Sequence, residues 1–91
     1  MYQITEYTKS KARLFGVQVK PSTNKKKKID VYKGGVKIAS IGAIGYLDYP
    51  NYILTKGRAF ADERKRAYKI RHQKDRIVEG SNGYWAYHLL W

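Results

Sequence analysis

Apolar and polar positions alternate from Arg13 to Lys20, so that Phe15, Val17 and Val19 fall on one side of an extended chain and predict a half-buried strand. Pro21 closes that run. Ser22-Thr23-Asn24 and the four lysines Lys25–Lys28 then read as a loop, because adjacent like charges repel and stay solvated. Two further runs, Lys28–Lys33 and Val36–Ile41, flank Gly34-Gly35, and a two-residue Gly-Gly connection supplies the positive φ angles of a tight hairpin. Ile29 and Val31 share one face of the first run; Val36 and Ile38 share a face of the second. The pattern predicts an antiparallel sheet of about three strands. Residues 1–12 show no clear periodicity and are expected as an N-terminal arm or edge strand.

Beyond the hairpin the period changes. Gly42-Ala43-Ile44-Gly45 breaks the second run, and Tyr46–Tyr52 reads as an aromatic-rich turn in which Pro50 disfavours helix at Tyr49. A long helix is expected from about Arg58 to Lys74, started by Thr55 or the Lys56-Gly57 pair. Glu79–Gly83 interrupts it, and Ser81 or Asn82 is placed to cap a last short helix carrying Tyr84, Trp85, Leu89, Leu90 and Trp91. The expected fold class is therefore α+β. It is a single small domain over residues 1–91, with a small antiparallel sheet packed against one long basic helix and a short C-terminal helix.

Composition narrows the function. A chain of 91 residues buries only ~60–65% of its unfolded surface, and without cysteine neither disulfides nor a Cys-based zinc site supplements the core. His72 and His88 are too few for a His-only metal cage, so no metal and no cofactor is expected. The start carries no basic-then-apolar leader pattern, and no run of ~18 apolar residues spans a bilayer, so a soluble, non-secreted, non-membrane protein is expected. Nineteen basic against seven acidic residues give +12, an excess that favours an anionic partner. Nine tyrosines and two tryptophans add side chains that are buried at one end and wet at the other, which suits binding surfaces.

The densest basic stretch lies in the long helix, where Arg64–Arg76 holds seven Lys or Arg and one acid. A wheel at about 100° per residue divides these charges. Phe60, Ala61, Arg64, Tyr68, Arg71 and His72 share one face with Asp75, while Lys65, Lys69, Asp62, Gln73 and Arg66 lie opposite. Arginine presents a planar fork suited to buried pairing, whereas lysine is a strongly hydrated point charge. Two readings of the Arg64–Tyr68–Arg71–His72 face stand side by side. Either the arginines pair with carboxylates or carbonyls of the sheet, Asp48 and Asp30 being candidate partners, or they line a groove that receives phosphate or an acidic side chain.

Other constellations carry less. Gly42-x-x-Gly45-Tyr46 lacks the Gly-Lys-Ser/Thr that a nucleotide-binding loop requires, and a strand-to-turn break accounts for its glycines. His72 beside Arg71 has neither clustered carboxylates for magnesium nor an evident orienting partner, so no catalytic residue is assigned. Lys25, Lys26, Lys27 and Lys28 are either a solvated loop or a flexible finger for backbone phosphates. Trp85 and Trp91 either complete the core or act as aromatic anchors in a neighbouring subunit.

Three segments in this order, Ser40-Ile41-Gly42-Ala43-x-Gly45-Tyr46-x-Asp48-Tyr49, then Glu63-Arg64 through Tyr68 to Arg71-His72, then Trp85 with Leu89-Leu90-Trp91, resemble a family of small uncharacterised basic proteins encoded by large double-stranded DNA viruses and some tailed phages. The resemblance covers roughly the last 55 residues; Asn51–Ala61 is longer than the family's usual link, and the N-terminal third has no counterpart. It implies a virion-associated protein and supplies no catalytic residues. The expectation is a non-enzymatic auxiliary or minor capsid protein whose partners are the major capsid protein or other virion subunits and packaged DNA, with no membrane and no small-molecule substrate. The contacts to a polyanion or partner are assigned to Lys25–Lys28, Lys65 and Lys69. The alternative is a basic nucleic-acid-binding protein.

Overall fold

A computed structural model describes residues 2–74 and 76–91; Met1 and Asp75, the latter assigned above to the Arg64 face, lie outside the described residues. The elements run α1 (Glu6–Phe15), β1 (Gln18–Pro21), β2 (Lys27–Lys33), β3 (Val36–Ala43), α2 (Tyr49–Lys56), α3 (Arg58–Arg71) and α4 (Asn82–Leu90). This is the α+β class expected, with a three-stranded antiparallel sheet in the order β1-β2-β3. Gly34 and Gly35 turn β2 into β3 with φ of 58° and 80°, the left-handed pair that matches strand twist. Register sets Ile29 opposite Ile41 and Val31 opposite Ala39, and these four side chains are buried on one face of the sheet. A bulge between Val31 and Tyr32 shifts the remainder of the ladder.

Two segments differ from the sequence pattern. Residues 6–15 form a helix rather than an arm leading into a strand. Thr5 caps it by accepting from the Thr8 amide at 3.3 Å, Glu6 occupies its first turn, and Gly16 closes it at φ 69°. Its fully buried positions are Thr8 and Ala12, spaced i, i+4, while Tyr7 and Phe15 pack against the core only partly buried, so the most buried stripe holds no large apolar residue to reveal the period. Phe15 ends this helix, and only Val19 of the alternating trio is in a strand. Pro21 pairs with Ile29 as the last residue of β1, tolerated because β1 is an edge strand.

The second departure is α2, expected as a turn. Asp48 caps it, its Oδ1 accepting from the Asn51 amide at 3.2 Å. Pro50 falls within the first turn, where a missing N–H leaves no intrahelical bond unmade. Gly57 at φ 88° separates α2 from α3, which begins at Arg58 as expected and ends at Arg71, three residues short of the expected Lys74. Ser81 caps α4, accepting from the Tyr84 amide at 3.1 Å.

The core is closed by α4, which lies against β3 and α1. Leu89, Leu90, Trp85 and Trp91 pack with Ile29, Val31 and Ile41. Polar tethers fix the N-terminal helix to the chain's other end: the Tyr7 hydroxyl donates to the Trp91 carbonyl at 2.9 Å and Thr8 Oγ1 to the Leu89 carbonyl at 2.8 Å. Burial pushes the Tyr7 phenol up to about 12, with Tyr49 and Tyr87 adding to it. Asp30, from β2, is also buried. Burial alone would raise its carboxyl. Hydrogen bonds from Ser22 Oγ (2.6 Å), Ser40 Oγ (2.7 Å) and the Thr23 amide, with Lys37 nearby, outweigh that and hold it below its ordinary value.

Two predictions follow from these placements. A Cβ on Gly42 would stand 2.9 Å from Lys28 Cδ and 3.0 Å from Leu90 Cδ1 at φ +80°, whereas Gly45, at φ +94°, has open space around it. Both alanine variants bear a left-handed backbone penalty of ~1–2 kcal/mol, and Gly42→Ala should add an overpacking cost of about 1–3 kcal/mol. Equal losses in paired denaturant titrations would refute the packing account. The lowered Asp30 carboxyl stabilises the fold above its unfolded value of ~3.9, and that stability disappears as pH falls through the lower folded value. Asp30→Asn should therefore be less stable than wild type at pH 7 and lose less on acidification, as melts from neutral to acid pH would show.

Candidate functional site

On α3, Ala61 and Tyr68 turn into the core. The Tyr68 ring stacks on Trp91 with centroids 4.6 Å apart and 16° between planes, and His72 stacks on the other end of the row, 4.3 Å from Tyr68. Arg64, half-buried, lies 5.7 Å from the Tyr52 ring centroid, and Arg71 is exposed. The face picked out by the helical wheel is thus one wall of a pocket of about 360 Å³. The facing wall is the β3–α2 connection with Tyr46, Leu47 and Asp48, and Leu90 and Trp91 lie at its base. All three segments singled out in the sequence contribute to this pocket: Gly42, Ala43, Tyr46 and Asp48 from the first, Arg64, Tyr68, Arg71 and His72 from the second, and Leu90 and Trp91 from the third.

Asp48 does not pair with the arginines. Its Oδ2 accepts from Lys28 Nζ at 3.2 Å and from the Tyr2 hydroxyl at 2.6 Å, and its Oδ1 accepts from the Asn51 amide and from Asn51 Nδ2 at 2.8 Å. A carboxylate offers about four lone-pair positions, so these donors fill it. Lys28 also donates to the Tyr46 carbonyl. The Lys28–Asp48 pair is closed off from solvent, at 5% and 1% exposure. Burial raises the Tyr2 phenol well above its ordinary value, and its bond to the Asp48 carboxylate reinforces the shift. Asp30 is likewise occupied by its serines. Among the described residues the ion pairs are Lys28–Asp48 and the exposed Lys9–Glu6. The expected Arg64 and Arg71 pairing with Asp48 and Asp30 is therefore corrected, and the arginine face is a groove wall.

Other placements change too. Lys28, expected as a surface contact, is a buried structural cation, because the strand β2 begins at Lys27 and draws Lys28 into the fold. Lys25 and Lys26 are exposed and Lys27 half-buried. Lys25 and Lys27 border a second, more open hollow of about 780 Å³ with Tyr2, Ile44 and Tyr46. Lys69 is exposed, while Lys65 is half-buried, with its ammonium 4.9 Å from the Tyr49 ring. Desolvation there lowers the Lys65 ammonium, with Lys11 and Lys69 contributing in the same direction. The unforeseen helix α2 covers this flank of α3, and Tyr49 donates its hydroxyl to Asp62 at 2.7 Å. Of the two readings of Trp85 and Trp91, core or aromatic anchor, burial bears out the first: both are core residues, and neither is a surface anchor. The Lys28 contact had no local signal, since its partner is distant in sequence and it sits in a run of four identical residues.

Among the described residues no group of three or more His, Cys, Asp or Glu is arranged to hold a metal ion. No helix among them is long and apolar enough to cross a membrane. Comparison with models of protein families, with curated proteins and with solved structures finds no match to this chain.

The contrast between the two cations predicts a reversal of the simplest sequence-based expectation. Lys28→Ala leaves the Asp48 carboxylate buried without its counter-charge and should destabilise by about 3–5 kcal/mol. Arg71→Ala, at an exposed groove wall, should stay within about 0.5 kcal/mol of wild type. Urea titrations giving similar losses for both would contradict the assignment.

Proposed function

We propose that this chain is a non-enzymatic structural protein of a virus or phage particle, an auxiliary or minor capsid component that holds a basic surface against acidic subunit surface or packaged DNA. What carries the reading is how the fold sorts charge. Asp30 and Asp48 are withdrawn from water, whereas Lys28 is the one fully buried cation among the described residues. The outward surface is therefore more basic than a net charge of +12 already implies. Lys25, Lys26, Arg66 and Lys69 all reach solvent, where they attract a polyanion over a Debye length of ~10 Å at 0.1 M salt. Trp85 and Trp91 are withdrawn into the core, and in their place Leu14, Leu54, Ile70 and Ile77 are 65–82% exposed and available to neighbouring subunits. The resemblance to viral proteins supports the particle as the setting.

A second reading, nucleic-acid binding in the infected cell or within the particle, is favoured by cations set beside tyrosine rings on the surface. Lys20 lies 5.3 Å from the Tyr32 centroid on the sheet, and such rings can lie against bases or sugars while the lysine meets phosphate.

Mass spectrometry of purified particles should find this chain at a fixed ratio to the major capsid protein; its absence would overturn the structural reading. Electrophoretic shift at ~50 mM salt should show DNA binding that weakens steeply by ~200 mM, and Lys25→Ala with Lys26→Ala should flatten that salt dependence. No shift at low salt would remove DNA as the polyanion and leave acidic protein surface.

A further inference from the structure

We propose that the pocket between α3 and the β3–α2 connection is a binding site for a phosphate monoester, the group found on a free nucleotide and at the end of a nucleic-acid strand. This goes beyond the surface electrostatics, because it concerns a bounded cavity with a defined charge and shape. Its volume of about 360 Å³ lies at the lower end of the ~300–1,000 Å³ usual for ligand sites, which suits a compact ligand rather than a groove-filling chain.

Charge decides the chemistry. Arg64 and Arg71 both line the pocket, and the carboxylate that lines it, Asp48, has its oxygens filled by Lys28, Tyr2 and Asn51. The lysine that lines it, Lys28, is neutralised by that same carboxylate. Among the described residues two positive charges therefore remain on the wall. A phosphate monoester carries ≈ −1.5 to −2 at pH 7 with three acceptor oxygens, which matches two guanidinium groups better than a single carboxylate does. Arg64 and Arg71 are seven residues apart on one helix face, about 10 Å along the axis, a separation that two long side chains can close onto one group between them. Arginine is the side chain whose fork pairs with phosphate in this bidentate way.

Shape decides what the phosphate is attached to. Much of the remaining lining is apolar or aromatic: Leu47, Tyr52, Leu90 and Trp91. A flat organic body held against these surfaces, with its phosphate on the arginines, uses both halves of the lining. The pocket is also built on fixed parts. Asp48 is locked as a helix cap and ion-pair partner, Gly42 is packed against Lys28 and Leu90, and Tyr68 is stacked on Trp91. Binding a small anion there requires no rearrangement of the core.

The test is calorimetric titration of the 91-residue chain at constant ionic strength with a nucleoside 5′-monophosphate, the same nucleoside without phosphate, and succinate. The nucleotide should bind at least about tenfold more tightly than the nucleoside or the dicarboxylate, the margin expected for a charged hydrogen-bonded pair. Arg64→Gln and Arg71→Gln should each remove about that factor while leaving the thermal melt in place, which separates lost binding from lost folding. Lys25→Ala with Lys26→Ala, outside the pocket, should leave nucleotide affinity unchanged even where DNA binding falls. A 5′-phosphorylated oligonucleotide compared with its 5′-hydroxyl form identifies the source: preference for the phosphorylated strand over the free nucleotide assigns the strand end, and the reverse assigns a free nucleotide. The proposal is overturned if nucleotide and nucleoside bind alike, if succinate matches the nucleotide, if Arg71→Gln leaves affinity intact, if the Lys25 and Lys26 changes weaken the nucleotide as much as the arginine changes, or if no nucleotide binds at millimolar concentration. None of these outcomes bears on whether the chain is present in particles.

Discussion

The structure turns on the buried contact between Lys28 and Asp48. Removing two such charges from water costs several kcal/mol per ion, a penalty offset only when the remaining hydrogen-bonding positions are filled. Here they are filled from three directions. Tyr2 brings the N-terminal segment to Asp48, Asn51 brings the first turn of α2, and the Tyr46 carbonyl accepts from Lys28. The contact therefore fixes where β2 meets the β3–α2 connection and at what point α2 starts. It also requires the strand opposite Lys28 to pass close by, which is why Gly42 stands there without a side chain.

A second set of constraints ties the ends of the chain together. α1 reaches the final residues through Tyr7 and Thr8, and Trp91 meets Tyr68 of α3 face to face. The C-terminal Leu89-Leu90-Trp91 stretch is thereby central to the core, packed against the sheet and touching both α1 and α3. Leu90 and Trp91 of this stretch also line the pocket, so the site rests on the buried part of the molecule. Small-domain stability and site geometry depend on the same side chains.

These two arrangements explain the charge of the surface. Because Asp48 and Asp30 are spent inside the fold on Lys28, Tyr2, Asn51 and the serines, they are not available to the arginines of α3 or to the surface lysines. The long helix then has two different sides. Arg64 and Arg71 stand along a bounded, partly apolar cavity, whereas Arg66 and Lys69 face open solvent and Lys65 is drawn over Tyr49. One helix thus lines a bounded pocket with two arginines and presents a diffuse basic surface to solvent.

The Gly34-Gly35 hairpin, the start of α3 at Arg58 and the Ser81 cap of α4 were determined by the sequence itself, because each depends on a φ preference or a cap acting within a few residues. The shared face of Arg64, Tyr68, Arg71 and His72 was equally legible, since helical period alone sets it. The helix α1 was hidden because its fully buried positions, Thr8 and Ala12, are small and partly polar, and α2 because Pro50 reads as a breaker until Asp48 is seen to cap the turn around it. What only the tertiary structure decided was the use of charge. Four consecutive lysines are chemically identical in sequence, and Lys28 became a buried ion while Lys25 and Lys26 stayed in water because pairing of β2 in the sheet brought Lys28 alone to a carboxylate twenty residues away.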